Sequence, residues 1–174
     1  VRGFTLVELM AVVAIVAILA VIGVYGVRKY VSSATTSEAM GIINSTRAAE
    51  ESYKDETFGY LKVSAMSSYF PFGTTVPKGT KKSWDGGDPT ELGLWTQLGV
   101  HPTTVVQFGY ACDADETPIP SKSALGISQD LNFPSTAAHW FVVRAAADRD
   151  GNGILATFVG SSFTDQIYGE NETE

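Results

Sequence analysis

Cysteine is almost missing from the chain: Cys112 stands alone among 174 residues. That excludes a disulfide within the chain and any zinc site built from several cysteines. Histidine is nearly as scarce, with His101 and His139 only, which leaves little material for a histidine-based metal or catalytic centre. Positive charge is in deficit, 12 Lys+Arg against 19 Asp+Glu for a net −7. A nucleic-acid face needs clustered Lys and Arg, so this balance argues against one. No G-x-S-x-G elbow, zinc-binding histidine pair or phosphate loop is present, and an enzyme is therefore not expected. His139, beside Trp140, reads as a structural histidine. Proline is absent before Pro71. What the chain does have is apolar residues, 44% against 18% charged, enough to fold around a core.

Charge and hydropathy are both polarised. Residues 1–30 hold Arg2, Arg28 and Lys29 against Glu8, whereas residues 31–174 hold nine basic and eighteen acidic side chains. From Leu9 to Val27 the run LMAVVAIVAILAVIGVYGV carries no charge. At a rise of ~1.5 Å per residue its 19 residues span ~28 Å, about the hydrocarbon thickness of a bilayer. A core helix in so small a soluble domain would show a polar face, and this one has none.

Three readings of this end compete. A cleaved secretory signal would have a shorter apolar run followed by a small-residue cleavage site; here the run is long and continues into further helical sequence. A single-pass anchor explains the length but not Glu8, a carboxylate at the edge of an apolar helix, unless it serves the helix dipole at the water surface. The third reading rests on the string Gly3-Phe4-Thr5-Leu6-Val7-Glu8-Leu9-Met10 ahead of the charge-free run. It resembles the prepilin cleavage and methylation motif of the type IV pilin family, over roughly the first 30 residues. The resemblance implies that a prepilin peptidase cuts between Gly3 and Phe4 and methylates the new amine of Phe4. It also implies that Glu8 pairs with the Phe4 amine of a neighbouring subunit. A buried carboxylate needs such a partner, and leaving one member of a buried pair alone costs ~3–5 kcal/mol. Residues 1–3 then read as a leader remnant. Ala11, Ala14, Ala17, Ala20 and Gly23 recur at three-residue steps, which lets helices approach closely. Many major pilins carry a proline partway along this helix; here Gly23 and Gly26 flank Tyr25 instead.

Past Val27, Arg28 and Lys29 mark the expected water boundary. Val31, Ala34, Ala39, Ile42, Ile43, Ala49 and Tyr53 then sit near three-to-four spacing, with Ser32, Ser33, Ser37, Glu38, Asn44, Arg47 and Glu50 assigned to the polar face. The pattern predicts one helix over 5–55, ended near Gly59. The expected divisions are residues 4–30 as the membrane and polymerisation helix, 31–56 as an amphipathic helix of the head, 57–104 as a loop region with a short helix, and 105–174 as a β-sheet head with an acidic tail. Asp88-Pro89-Thr90-Glu91 predicts a helix over 89–98, with Leu92, Trp95 and Leu98 on one face. Strands are predicted at 103–112, 138–147 and 153–160, the last two forming a hairpin through Asp150-Gly151 and Asn152-Gly153. The tail from Gly169 reads as loose. The expected fold class is α+β: a long helix packed on a small antiparallel sheet of three or four strands, the lollipop shape of pilins by resemblance.

Other chemistry is thin. Asp148, Asp150 and Asn152 alternate like the first half of a calcium loop, but loop position twelve is Val159 rather than a glutamate, and a tight polar turn needs no metal. No other cofactor is expected. Asp113, Asp115 and Glu116 read as a solvated acidic loop, Lys78, Lys81 and Lys82 as a solvated basic one, and Cys112 as a buried small hydrophobe. The family resemblance implies a filament subunit held in the bacterial inner membrane before assembly and on the cell surface afterwards. Its partners would be copies of itself and other pilins, the prepilin peptidase, an inner-membrane platform and an assembly ATPase. The implied uses are adhesion, twitching motility or DNA uptake. A minor pilin or a type II secretion pseudopilin shares this amino end, and a single-pass membrane-anchored binding protein is the alternative from a different class.

Overall fold

The structure, a computed structural model, describes residues 3–115 and 118–172, with the Arg28 side chain left out. Val1 and Arg2 of the expected leader remnant, Glu116 of the acidic loop, Thr173 and Glu174 of the tail, and the Arg28 boundary charge lie outside the described residues. The chain divides into two compact units, residues 1–35 and 36–174.

The first unit is helical. Helix α1 runs Leu6–Thr57, and its portion up to Thr35 makes up this unit. No proline breaks its hydrogen-bond ladder. Every large apolar side chain from Leu6 to Val31 is more than half exposed. At the end of the unit Thr35 Oγ1 donates back to the carbonyls of Val31 and Ser32, at 3.1 and 2.9 Å.

The second unit contains the rest of α1, a single 3-10 turn at Trp84–Gly86, α2 (Pro89–Leu98), β1 (Gly109–Ala114), α3 (Lys122–Leu125), β2 (Phe141–Ala147), β3 (Ala156–Ser161) and β4 (Thr164–Glu170). The strands form one antiparallel sheet in the order β1-β2-β3-β4, so the α+β class is as expected. The sheet is covered on both faces. Phe141, Val143, Ala145 and Phe158 share one cluster with Ala39, Ile42 and Ile43 of α1. Ala111, Val142 and Val159 face a second cluster with Leu125, Ile127, Leu131 and Trp140. Two-sided burial explains why β2 reads as a nearly continuous apolar run rather than an alternating one. Gly160 lets the helix come close: a Cβ there would lie 2.6 Å from Ile43 Cγ2.

Helix α2 matches its predicted span. Asp88 caps it, accepting the N–H groups of Thr90 and Glu91 at 2.8 and 3.2 Å, and Gly99 closes it at φ +81°. Glu91 does not bond back to the cap; its two oxygens accept the Ser68 hydroxyl at 2.9 and 3.0 Å. Trp95 and Leu98 are buried, and Leu92 packs against the same core. Trp95 meets Trp84 edge-on, with centroids 5.3 Å apart, and Trp84 meets Phe70 in the same way at 4.9 Å.

Three expectations need correction. The strand predicted at 103–112 begins at Gly109 and runs to Ala114. β2 has no backbone left for the earlier residues, because Gly109 already pairs with Ala146 near its end. Val106 pairs instead with Lys82, and the Gln107 N–H goes to Glu38. The hairpin expected over 138–160 forms, but with strands at 141–147 and 156–161 and a long connection rather than a tight turn. The tail expected to be loose from Gly169 is ordered at its start: Gly169 and Glu170 close β4 opposite Phe158 and Thr157.

Candidate functional site

The amino-terminal segment is built from very few residues. Phe4 precedes the helix and is 87% exposed. Thr5 and Glu8 then form a reciprocal cap. Glu8 Oε2 accepts the Thr5 N–H at 2.9 Å and the Thr5 hydroxyl at 2.7 Å, while Thr5 Oγ1 accepts the Glu8 N–H at 3.3 Å. These contacts satisfy helix-start donors that no carbonyl can reach. Thr5 is a partner not named among the expected site residues, although T-x-x-E before an apolar run is the signature of this box. Within one chain, then, Glu8 is already held by Thr5. From Leu9 to Val27 no other charge follows. A Cβ at Gly23 or Gly26 would meet nothing within 4 Å, so space within the chain does not require glycine at either position.

The hairpin that resembles half a calcium loop is tied up by its own backbone. Asp148 is buried, and its two oxygens accept the N–H groups of Gly151 and Gly153, at 2.8 and 3.1 Å. Asp150 accepts the N–H of Asn152 at 3.1 Å and its side-chain amide at 3.0 Å. Asn152 Oδ1 accepts the Ile154 N–H at 2.7 Å. Gly151 and Gly153 sit at φ +81° and +89°, the left-handed region such a polar turn uses. The three side chains are thus near one another in the chain, each serving the turn. Among the described residues no three Asp, Glu, His or Cys side chains gather as metal ligands.

Asp113, within β1, and Asp115, just after it, work as joints. Asp113 pairs with Lys62 at 3.4 Å. Asp115 accepts the backbone N–H groups of Tyr60 at 3.0 Å and Trp140 at 2.8 Å, and meets His139 Nδ1 at 3.1 Å. His139 is therefore anchored to a loop carboxylate, and His101 lies 2.8 Å from Asp85. Of the basic loop, Lys82 donates to the Pro71 carbonyl at 2.7 Å, while Lys78 and Lys81 are exposed. Cys112 is free and buried.

Two buried charges were not foreseen. Arg144, assigned to a plain strand, donates to the carbonyls of Ala124 and Ser68 and lies over the Tyr69 ring at 4.8 Å; burial lowers its pKa. Glu50, expected on the polar face of α1, is fully buried. The buried face in fact runs Ala39, Ile42, Ile43, Thr46, Glu50, and the spacing 39-43-46-50 carried that signal. Glu50 Oε2 accepts the Leu61 N–H at 2.9 Å, and the Cys112 thiol donates to Oε1 at 3.2 Å. Burial pushes its carboxyl up to about 7, with the nearby negative charges of Asp115 and Glu51 adding to the rise.

Comparison with known proteins bears on the amino-terminal segment. Residues 1–24 match the family model of the prokaryotic N-terminal methylation motif, the type IV prepilin signature. No curated protein and no solved structure matches the chain. The signature opens a helix whose later part packs against the four-stranded antiparallel sheet, and it makes the chain similar to type IV pilin-like proteins over its amino-terminal segment.

Proposed function

We propose that the chain is a structural, non-catalytic subunit of a type IV pilus, polymerising through the helix that begins at Leu6. The observation that carries this reading is the union of the prepilin signature at residues 1–24 with a helix whose apolar side chains are exposed all round. Exposed on this scale, such a surface needs lipid or other copies of itself. Before assembly the lipid of the inner membrane covers it. Cleavage between Gly3 and Phe4 by the prepilin peptidase, with methylation of the Phe4 amine, then readies the chain for a filament core. There Glu8 faces the Phe4 amine of a neighbour, and this pairing sets the axial register. A platform protein and an assembly ATPase drive the transfer, and the head supplies the surface used in adhesion, twitching motility or DNA uptake.

The lack of proline before Pro71 and the single cysteine favour a second reading within the same class, a minor pilin or a type II secretion pseudopilin. Shearing the cell surface tests both. A major subunit dominates the sheared fibres, a minor one is a trace component, and recovery of solitary molecules only would overturn the assembly reading.

A further inference from the structure

Among the described large apolar side chains of the second unit, three stand open to solvent: Phe58 is 82% exposed, Val105 50% and Ile154 46%. Phe58 is also held in an unfavourable backbone. It follows the last residue of α1, with its N–H on the Lys54 carbonyl at 2.8 Å, and its φ is +65°. That left-handed position closes many helices and usually holds glycine, because a Cβ costs free energy there. The chain has a glycine one place later, but Gly59 meets another need: a Cβ on it would lie 3.1 Å from Asp115 Oδ2. A ring this bare gains little within its own chain for the strain its backbone bears.

The three lie at opposite ends of the sheet. Phe58 adjoins the contact of Tyr60 with Asp115, just past Ala114, where β1 ends opposite the start of β2 at Phe141. Val105 and Ile154 belong to the other end. Val106 pairs with Lys82 ahead of β1, and Ile154 stands just before β3, beside the turn where Asp148 pairs with Lys78. The six residues of β1, at ~3.3 Å each, set the two ends ~20 Å apart. The ends also differ in charge. Around Phe58 the carboxyl end of α1 exposes Glu51, Asp55 and Glu56. The basic groups nearby are engaged: Lys54 with Tyr60, Lys62 with Asp113 and His139 with Asp115. At the other end Lys78 and Lys81 are exposed. The acids there are held locally, Glu38 by the Gln107 N–H, Asp148 and Asp150 by their own turn, and Glu172 against Gly169.

We propose that these ends dock on one another between copies of the chain: Phe58 of one copy seats on the Val105 and Ile154 end of the next, with Glu51, Asp55 and Glu56 facing Lys78 and Lys81. The inference rests on the reading of the chain as a filament subunit and names the head surfaces that meet there. Apolar contact takes Phe58 out of water, and opposite charge sets the direction, since like ends repel. The two patches differ and lie at opposite ends of one head, so the contact is heterologous. Each copy that docks leaves its other end open, and the contact repeats along a fibre instead of closing a dimer. The interface offsets the strain of an aromatic residue kept at φ +65°.

Fibres sheared from cells that make the full chain provide the test. Phe58→Gly suits the left-handed backbone and removes a ring the head does not pack. The melting midpoint of the extracted subunit should therefore hold or rise, while fibre yield falls roughly tenfold. Asp55→Lys with Glu56→Lys should lower the yield by a similar factor, as should Lys78→Glu with Lys81→Glu; all four together should restore it to within about threefold of wild type. A photoreactive phenylalanine analogue in place of Phe58 should cross-link, within fibres, to peptides that contain Val105, Ile154 or residues 78–82. Adducts at other sites only, an unchanged yield from Phe58→Gly, or no recovery in the combined variant would overturn the docking while leaving the filament reading intact. Wild-type cells that yield no fibres would instead overturn the filament reading, and this contact with it.

Discussion

The two units handle a buried or buriable carboxylate in opposite ways. In the first, Glu8 lies on an exposed apolar helix and is satisfied by Thr5, its neighbour in sequence. In the second, Glu50 is enclosed by a finished core and is satisfied by Leu61 and Cys112, both distant along the chain. The head has completed its packing, with a sheet covered on both faces. The arm has not: its apolar surface is open, and under the proposed function its acid takes a partner from another molecule. Under that proposal the first carboxylate awaits a cation from a neighbour, while the second is held by neutral donors of its own chain. The difference between them is whether the surrounding apolar surface is closed within one chain.

The comparison is broken most severely at Glu8. Glu8→Ala should leave the head folded and the chain in the membrane while reducing filament yield roughly a hundredfold or more, the equivalent of ~3–5 kcal/mol for a lost buried partner. Counting fibres by electron microscopy, beside circular dichroism of the extracted subunit, separates the two effects. The mirror experiment strikes the head. Trp95→Ala removes a fully buried ring packed edge-on against Trp84 and tilted against Phe70. It should cost ~3–5 kcal/mol of head stability by thermal melting and leave membrane insertion of the arm unchanged.

A pH series sharpens the contrast. Glu50 titrates at about 7 when folded against 4.5 as its ordinary value, so the folded head binds its proton more tightly. Head stability from this group is greatest below about 4.5, declines as pH rises to about 7 and is level above that. The full loss is on the order of 3 kcal/mol. Glu50→Gln should remove this slope from the melting curves; equal slopes in both proteins would refute the assignment. The smallest effect belongs to Asp88→Ala, which takes away the two cap bonds of α2 and should lower stability by ~1 kcal/mol in denaturant melts.

What could be read from the residues was whatever a local pattern encodes. The Asp88-Pro89 start places α2 at its observed span because cap and first turn are neighbours in sequence. The charge-free run gives the arm, and the apolar stretch around Phe141 gives β2. What escaped depends on distant partners. Thr164-Asp165-Gln166-Ile167 has little strand character, yet it becomes β4 because β3 offers its edge and the 161–164 turn returns the chain to it. Residues 103–108 have the composition of a strand but find β2 already used up. Glu50 reads as polar surface until the 58–64 segment folds over it. The Thr5–Glu8 box is local and legible, because T-x-x-E stands directly before the apolar run.

The central claim is that the arm is a processed, polymerising helix. Mass spectrometry of the amino-terminal peptide, taken from the protein as it occurs in surface fibres, tests it most directly. The account predicts a peptide that begins at Phe4 and carries one methyl group on its amine. A peptide that still contains Gly3 joined to an unmethylated Phe4 would contradict it.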